Sequence, residues 1–289
     1  MKVRTAVFPV AGLGTRLLPA TKSMPKEMVT LIDKPLIQYA VEEVIAAGIE
    51  RVVFVSARSK RALEDHFDRT PELEYQLKES GKLDVLEEMQ KLSDMCDVTY
   101  VRQKNPNGLG HAVLCAKDVV GREPFAVILP DDIIMSKVPV TAQLVEQFNR
   151  TKKSVVSLME VPSEDTSKYG IVVPGDMVDD RLLKLEGMVE KPKENPPSNL
   201  AIIGRYILTP EVMDALETTR RGAGGEIQLT DAILDVAVNS RVYGYRFEGK
   251  RFDCGNKFGL FEAAVNFALE RDDMREYAIN VIKGLDTSF

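Results

Sequence analysis

The groups in this chain best suited to chemistry are glycines, basic residues and a few strand-end carboxylates. Histidine occurs only twice and cysteine three times. The first such cluster is Ala11-Gly12-Leu13-Gly14-Thr15-Arg16, directly after the apolar run Val3–Phe8. Its glycines let backbone N–H groups come close to phosphate oxygens, and Arg16 adds a forked cation suited to the same oxygens. Two familiar phosphate loops fail on these residues. A P-loop would end in Gly-Lys-Ser/Thr, which is missing. A dinucleotide fingerprint would need a third glycine where Leu17 stands and a helix directly after, against which Pro19 argues. Taken alone, the segment is as readily a plain turn. Its surroundings favour an anion site: Lys2, Arg4, Arg16, Lys22 and Lys26 all precede the first acidic residue, Glu27.

Further along, Gln103 opens the strip Gln-Lys-Asn-Pro-Asn-Gly-Leu-Gly-His-Ala-Val. A glutamine amide offers a donor and an acceptor side by side, which matches the imide edge of uracil or thymine. Gly108 would let backbone approach such a base. Asp131 and Asp132 follow the strand-like Phe125–Leu129, a place where a strand end presents ligands to a hard cation. A paired aspartate there is equally a turn. Glu190-Lys191 in isolation is an ordinary solvated ion pair. His111 is expected to be a structural histidine at a helix end.

These residues need a scaffold that brings strand ends together, and the sequence supplies one. Strand-like Val3–Phe8, Arg51–Val55, Val98–Val101 and Phe125–Leu129 alternate with helical sequence, which implies right-handed crossovers and a mainly parallel sheet covered on both faces. Pro35 opens a helix with apolar Ile37, Ala40, Val41, Val44 and Ile45, ended by Gly48. Helical sequence starts again near Lys60 and includes an insert at Leu73–Leu92, broken at Gly81; another helix starts near Leu109. In the second half, Ser154–Val161 predicts a central strand. Ile171–Pro174, Leu182–Val189 and Leu200–Leu208 predict shorter strands, and Val242–Phe247 one more. Helices are expected from Pro210, Glu226 and Lys257.

The fold class expected is therefore α/β, a Rossmann-like, mainly parallel or mixed central sheet flanked by helices, with a smaller β excursion from the second half. One domain is expected over 1–289, its nucleotide-binding part about 1–135 and the remainder about 136–289.

Hydrophobic residues make up 44% and charged residues 28%, an ordinary globular balance. A formal net charge of −6 argues against nucleic-acid binding, since no basic surplus displaces phosphate counterions. No apolar stretch approaches the ~20 residues of a membrane helix. The chain opens directly on a strand-like run, without the order of a signal peptide, and Cys96, Cys115 and Cys254 make no metal-spaced pair. A cytoplasmic protein without membrane partners is expected.

Over a longer window the chain resembles the sugar nucleotidyltransferase family. The resemblance is carried by Ala11–Pro19, then Lys22-Ser23-Met24-Pro25-Lys26-Glu27-Met28, then Lys34-Pro35-Leu36-Ile37, in that family's order and spacing. It runs on through Gln103–Val113, Leu129-Pro130-Asp131-Asp132, Lys168–Val172, Glu190-Lys191-Pro192, Gly224–Asp231 and Phe252-Asp253-Cys254-Gly255. The resemblance implies the nucleotide-diphospho-sugar transferase fold. It also implies roles for particular residues. Ala11, Gly12, Gly14, Thr15 and Arg16 would cradle a triphosphate, Lys26 would contact phosphate, and Gln103 and Gly108 would meet the base. Asp131 and Asp253 would hold Mg²⁺. Gly170 and Glu190 would bind the sugar and Lys191 its phosphate, with Asn199–Tyr206 lining the same pocket.

Such an enzyme lets the phosphate of a sugar-1-phosphate attack the α-phosphorus of a nucleoside triphosphate and release pyrophosphate. Arg16, Lys26 and Lys191 would be its catalytic cations. Within the family, Leu-Pro-Asp-Asp, the Leu73–Leu92 insert and Gly-Gly-Glu-Ile-Gln-Leu-Thr-Asp are most like the bacterial branch that takes UTP and glucose-1-phosphate. A thymidylyl-transferring relative is the alternative, since uracil and thymine share the same pairing edge. A dinucleotide oxidoreductase lacks its third glycine, and a non-catalytic nucleotide-binding regulator would be expected to have lost Lys26 or a metal carboxylate. The resemblance also implies a homodimer or homotetramer, with the Gly222–Asp231 segment and the C-terminal helices as interface candidates.

Overall fold

A computed structural model describes residues 2–285. The opening run forms β1 (Thr5–Pro9), and the glycine segment then turns through a 3-10 stretch at Thr15–Leu17. A two-stranded hairpin, β2 (Thr30–Leu31) and β3 (Lys34–Pro35), leads into α1 (Leu36–Ala46). Pro35 stands at the N-cap, where a missing N–H loses nothing, and Gly48 takes φ 82° just beyond the end. Ile37, Ala40, Val41 and Val44 are buried, as the helical spacing requires. Next come β4 (Arg51–Ser56), α2 (Arg61–Phe67), α3 (Pro71–Glu79), α4 (Leu83–Asp94) and β5 (Asp97–Arg102). The insert is thus a helical hairpin that turns at Gly81, φ 70°.

After it run α5 (Leu109–Leu114), α6 (Lys117–Val120), β6 (Phe125–Ile128), β7 (Asp132–Met135), α7 (Val140–Thr151) and β8 (Val155–Glu160). The remainder is β9 (Gly170–Met177), β10 (Leu182–Glu190), β11 (Leu200–Leu208), α8 (Pro210–Thr218), α9 (Leu229–Asn239), β12 (Tyr243–Arg246), β13 (Lys250–Asp253), α10 (Lys257–Glu270) and α11 (Arg275–Lys283).

Nine strands make one sheet in the order β5-β4-β1-β6-β11-β8-β12-β10-β9. The first four lie parallel, and β12 lies parallel to β8; the other neighbours are antiparallel, so the whole is mixed. Both faces of the parallel part are covered. Val7, Val53, Val55 and Val127 pack into one core and Ala6, Phe8, Val52 and Phe54 into the other, as alternation along a strand demands. β11, from the second half, inserts beside β6, so one sheet runs through both halves. At the far edge β9 curls back and meets β11 at Ala201↔Ile171.

Three details differ from the sequence reading. β9, β10 and β11 have 8, 9 and 9 residues and are not short. Pro174 and Gly175 mask β9 in the sequence, but an edge strand tolerates a proline, and β10 meets it through register shifts around Leu185. The helix expected from Glu226 starts at Leu229, because Ile227 is held extended: its N–H donates to Asn107 O at 2.8 Å and its carbonyl accepts from Gly110 N at 2.8 Å. Finally, β7 and β13 form a separate antiparallel pair, too short to carry a periodic signal.

Candidate active site

Parallel β1, β5 and β6 end on one edge of the sheet, and the glycine turn, Gln103 and Asp131 follow those ends. Open α/β sheets bind ligands at such an edge. Gly14 takes φ 67°, and a Cβ there would come within 2.9 Å of Lys26 Cβ. Glycine is therefore required for Lys26 to lie against the turn. Gly12 differs: a Cβ would meet nothing within 4 Å, so the turn is open on that side.

Lys26 Nζ donates to Asp131 Oδ2 at 2.6 Å. Arg16 bridges two carboxylates, with Nη2 3.4 Å from Asp131 Oδ2 and Nη1 3.3 Å from Asp253 Oδ2. Asp253, 122 positions after Asp131 in the chain, is brought there by the β7–β13 pairing, which sets Asp253 opposite Asp132, and by Cys254 N donating to Asp131 O at 2.8 Å. Burial pushes the Asp131 carboxyl up, but the Lys26 charge and hydrogen bond outweigh it and hold the group below the usual aspartate range. Burial likewise works against the Lys26 ammonium, and Asp131 more than restores it, leaving Lys26 above its ordinary value. Both therefore stand ionised.

Asp132 points the other way. Its Oδ2 accepts from Gly204 N at 2.9 Å and its Oδ1 from Arg251 Nε at 2.7 Å, with Arg251 Nη2 also in contact. Burial raises its carboxyl in spite of Arg251. Arg251 Nη1 donates to the Tyr169 hydroxyl at 2.9 Å, which ties this layer to the strand bearing Gly170. Underneath, fully buried Arg205 clamps Glu43 with both Nε and Nη2 and also donates to the carbonyls of Leu129, Gly204 and Asp132. The strand end that carries Asp131 is thereby fixed from below.

Across the cleft, Glu190 pairs in register with Gly170. Its Oε2 accepts from Thr230 Oγ1 at 2.7 Å and its Oε1 lies 3.2 Å from Lys191 Nζ. A Cβ on Gly170 would come within 3.2 Å of Glu190 Oε2, so the glycine makes room for that carboxylate. Lys191 has φ 48°, a left-handed conformation costly for a lysine, and its exposed side chain faces the cleft. Asp131, Asp253, Arg16, Gly170, Glu190 and Lys191 line one cavity of about 320 Å³.

Gln103 and Gly108 stand beside this cavity, next to Leu109 on its wall. Here the structure changes two expectations. Gly108, φ 103°, owes its missing side chain to the protein itself: a Cβ would meet Glu226 Cβ at 2.6 Å and Ile227 O at 2.8 Å. The Gln103 amide nitrogen is also engaged, 3.1 Å from Gly108 O and 2.9 Å from His111 Nδ1. The basic N-terminal stretch is likewise divided: Lys2 and Arg4 pair with Glu50, and only Arg16 and Lys26 reach the carboxylates.

Of the Asn199–Tyr206 segment, Ile202, Gly204 and Tyr206 line the cavity; sequence reasoning missed Thr230, Gln228, Arg251 and Lys168 as cavity residues, and the buried pair Lys60–Glu27. Arg251 was within reach, since it lies two residues before Asp253 and strand alternation puts both on one face. The rest depend on long-range packing. A larger cavity of about 840 Å³ lies between α1, the insert and α10. Asp33, Asp65, Asp68, Glu74 and Glu88 on its walls suit a polyphosphate poorly.

A family model described as nucleotidyl transferase matches residues 6–270. UTP–glucose-1-phosphate uridylyltransferase of Bacillus subtilis (strain 168) is 50% identical over 285 residues, which are 98% of this chain and 97% of that one. A structure of UDP-glucose pyrophosphorylase complexed with UDP-glucose superposes with TM-score 0.85 at 43% identity, covering 93% of this chain and 100% of that chain. A UTP-bound UGPase from Acinetobacter baumannii gives TM-score 0.91 at 40% identity, over 98% and 100% of the two chains. A match through both halves of the sheet, at such identity, places the chain in the nucleotidyl transferase family.

Proposed function

We propose that the protein makes UDP-glucose and pyrophosphate from UTP and glucose-1-phosphate. The observation that carries this is the single cleft in which cations and two carboxylates face a Glu-Lys pair. One side suits phosphates and the other suits a sugar phosphate. The names of the relatives that match the whole chain support the choice of UTP and glucose-1-phosphate.

The nucleophile, a phosphate oxygen of glucose-1-phosphate, is already anionic. It bonds to the α-phosphorus as the bond from that phosphorus to the pyrophosphate oxygen breaks, so no proton need be removed and no protein nucleophile is needed. Catalysis then consists of alignment and charge neutralisation. Lys191 holds the incoming sugar phosphate and Glu190 accepts hydrogen bonds from sugar hydroxyls. Lys26 screens the α-phosphate, and Arg16 stabilises the departing pyrophosphate. The turn Ala11, Gly12, Gly14 and Thr15 offers backbone N–H groups to the triphosphate. Gln103 and Gly108 bound the base site. Arg16 pairs with Asp131 and Asp253 and Lys26 with Asp131, so a triphosphate drawing on these cations would compete with the carboxylates for them.

The donors present fit Mg²⁺. Asp131 Oδ2 and Asp253 Oδ2 already converge on one cation, the Arg16 guanidinium, at 3.4 and 3.3 Å, so two hard oxygen ligands lie within reach of a common charge. Mg²⁺ commonly takes only one or two carboxylates and completes its shell with phosphate and water. Asp131 and Asp253 would hold the ion, whose contribution is to neutralise phosphate charge.

Incubation with Mg²⁺, each nucleoside triphosphate and several sugar-1-phosphates tests the reading. Pyrophosphate release should require UTP and favour glucose-1-phosphate; release without UTP, or indifference to the sugar, refutes it. No helix among the described residues is long and apolar enough to cross a membrane, in keeping with a cytoplasmic site of action. Exposed Phe258 and Phe261 on α10 and Tyr277, Val281 and Ile282 on α11 give the C-terminal helices an apolar surface that a homodimer or homotetramer would cover. Light scattering should give twice or four times the 32.2 kDa chain mass.

A further inference from the structure

We infer that His111 is a specificity-determining residue: it fixes the orientation of the Gln103 amide so that only its carbonyl oxygen is offered to the base. The inference rests on the reading of Gln103 as the residue that faces the base.

Gln103 directly follows β5, with its backbone tied to the end of β4 through Gln103 N to Ser56 O at 2.9 Å. The residue is 7% exposed. A primary amide has two N–H donors, and both are used inside the protein, one on Gly108 O at 3.1 Å and one on His111 Nδ1 at 2.9 Å. A backbone carbonyl can only accept, so the group facing Gly108 O must be the NH₂. Gly108 is itself pinned by the segment after Arg221: Ile227 N donates to Asn107 O, Gly110 N donates to Ile227 O, and Arg221 Nη2 reaches Asn107 Oδ1 at 2.9 Å. With the NH₂ directed at His111, the imidazole must accept at Nδ1 and carry its proton on Nε2. Oε1 alone remains for a ligand.

An acceptor held in this way meets the N3–H of uracil or thymine. Cytosine presents an unprotonated N3 at the same place, and two lone pairs then oppose each other. A freely turning glutamine would escape by rotating its NH₂ toward cytosine. His111 together with Gly108 O prevents that rotation, so rejection of cytosine comes from a residue that touches the glutamine rather than the base. His111 is thus a positioning residue, which accounts for a histidine beside a reaction that moves no proton.

The test compares kcat/KM for UTP and CTP, at saturating glucose-1-phosphate, in the parent, His111→Leu, His111→Asn and Gln103→Leu. His111→Leu removes the acceptor, and the UTP-over-CTP ratio should fall about ten- to a hundredfold, the worth of one misdirected buried hydrogen bond. His111→Asn puts an amide oxygen near the position of Nδ1 and should restore most of the ratio. If His111→Leu keeps the parent ratio while Gln103→Leu lowers it, the inference is overturned and the base site stands. If Gln103→Leu changes neither the ratio nor KM for UTP, both fall. In the intact protein, ¹⁵N shifts of the His111 ring supply a measurement that needs no variant: the Nε2–H tautomer is expected, and an Nδ1–H tautomer overturns the inference.

Discussion

Replacing Lys60 with methionine should unfold the protein more easily than any surface change, because it strands a buried carboxylate. Lys60 Nζ lies 2.8 Å from Glu27 Oε2, and the two residues are 3% and 1% exposed. Burial already raises the Glu27 carboxyl, with Lys60 and then Lys26 working against it, and Glu27 Oε1 has no hydrogen-bond partner among the described residues. Removing one partner of such a pair typically costs about 3–5 kcal/mol. In a chain of this size that is about 6–10 °C in melting temperature.

The double variant Lys60→Met/Glu27→Leu should recover most of the loss, since an apolar pair of similar volume avoids the desolvation penalty. The pH dependence has a definite sign. A carboxyl raised in the folded state binds its proton more tightly there than in the unfolded chain, so stability falls as pH rises through the folded value. Lys60→Met pushes Glu27 further up and should extend this fall toward neutral pH. Urea melts of the four proteins of the cycle, at several pH values, provide the measurement. A single variant within about 1 kcal/mol of the parent would refute the reasoning, because surface pairs behave that way. So would a double variant as unstable as the single one. Glu27 adjoins Lys26 in the 3-10 turn Lys26–Met28, so a parallel loss of turnover is expected in Lys60→Met.

Three further outcomes are expected. Gly14→Ala should reduce turnover about a hundredfold with less effect on stability, since the new Cβ meets Lys26 Cβ at 2.9 Å and a misplacement near 1 Å has that effect; steady-state kinetics beside a thermal melt separates the two. For Glu43, burial raises the carboxyl but Arg205 and Thr141 more than offset it, so the folded group lies below its ordinary range. Its stabilisation is present above the unfolded value and lost as pH falls through the folded one; Glu43→Gln should therefore flatten the acid limb of a stability–pH curve, and an unchanged limb would count against the clamp. Arg251→Met should raise KM for glucose-1-phosphate more than KM for UTP, because Arg251 joins Asp132 to Tyr169 on the sugar side; equal changes in initial-rate measurements would disprove that link.

The sequence by itself determined the local elements that carry a period or a punctuating residue. Alternation and apolar runs gave β1, β4, β5 and β6, and Pro35 with Gly48 bounded α1. The resemblance to the sugar nucleotidyltransferase family, not any period, implied a common site for Lys26, Asp131, Asp253, Glu190 and Lys191 before any distance was known. Tertiary structure alone decided how those residues share a cleft. The meeting of Asp131 with Asp253 depends on β7 and β13, which are too short to show a period. The insertion of β11 beside β6 depends on which strand edges remain free after the parallel part has formed. Whether Gln103 offers a donor or an acceptor could not be read from its type, because an amide has both; the answer lies in Gly108 O and His111 Nδ1. Nor could the glycine requirements be told apart in one dimension: Gly14 yields to Lys26 and Gly108 to Ile227, contacts made by packing across the chain, while Gly12 stays open.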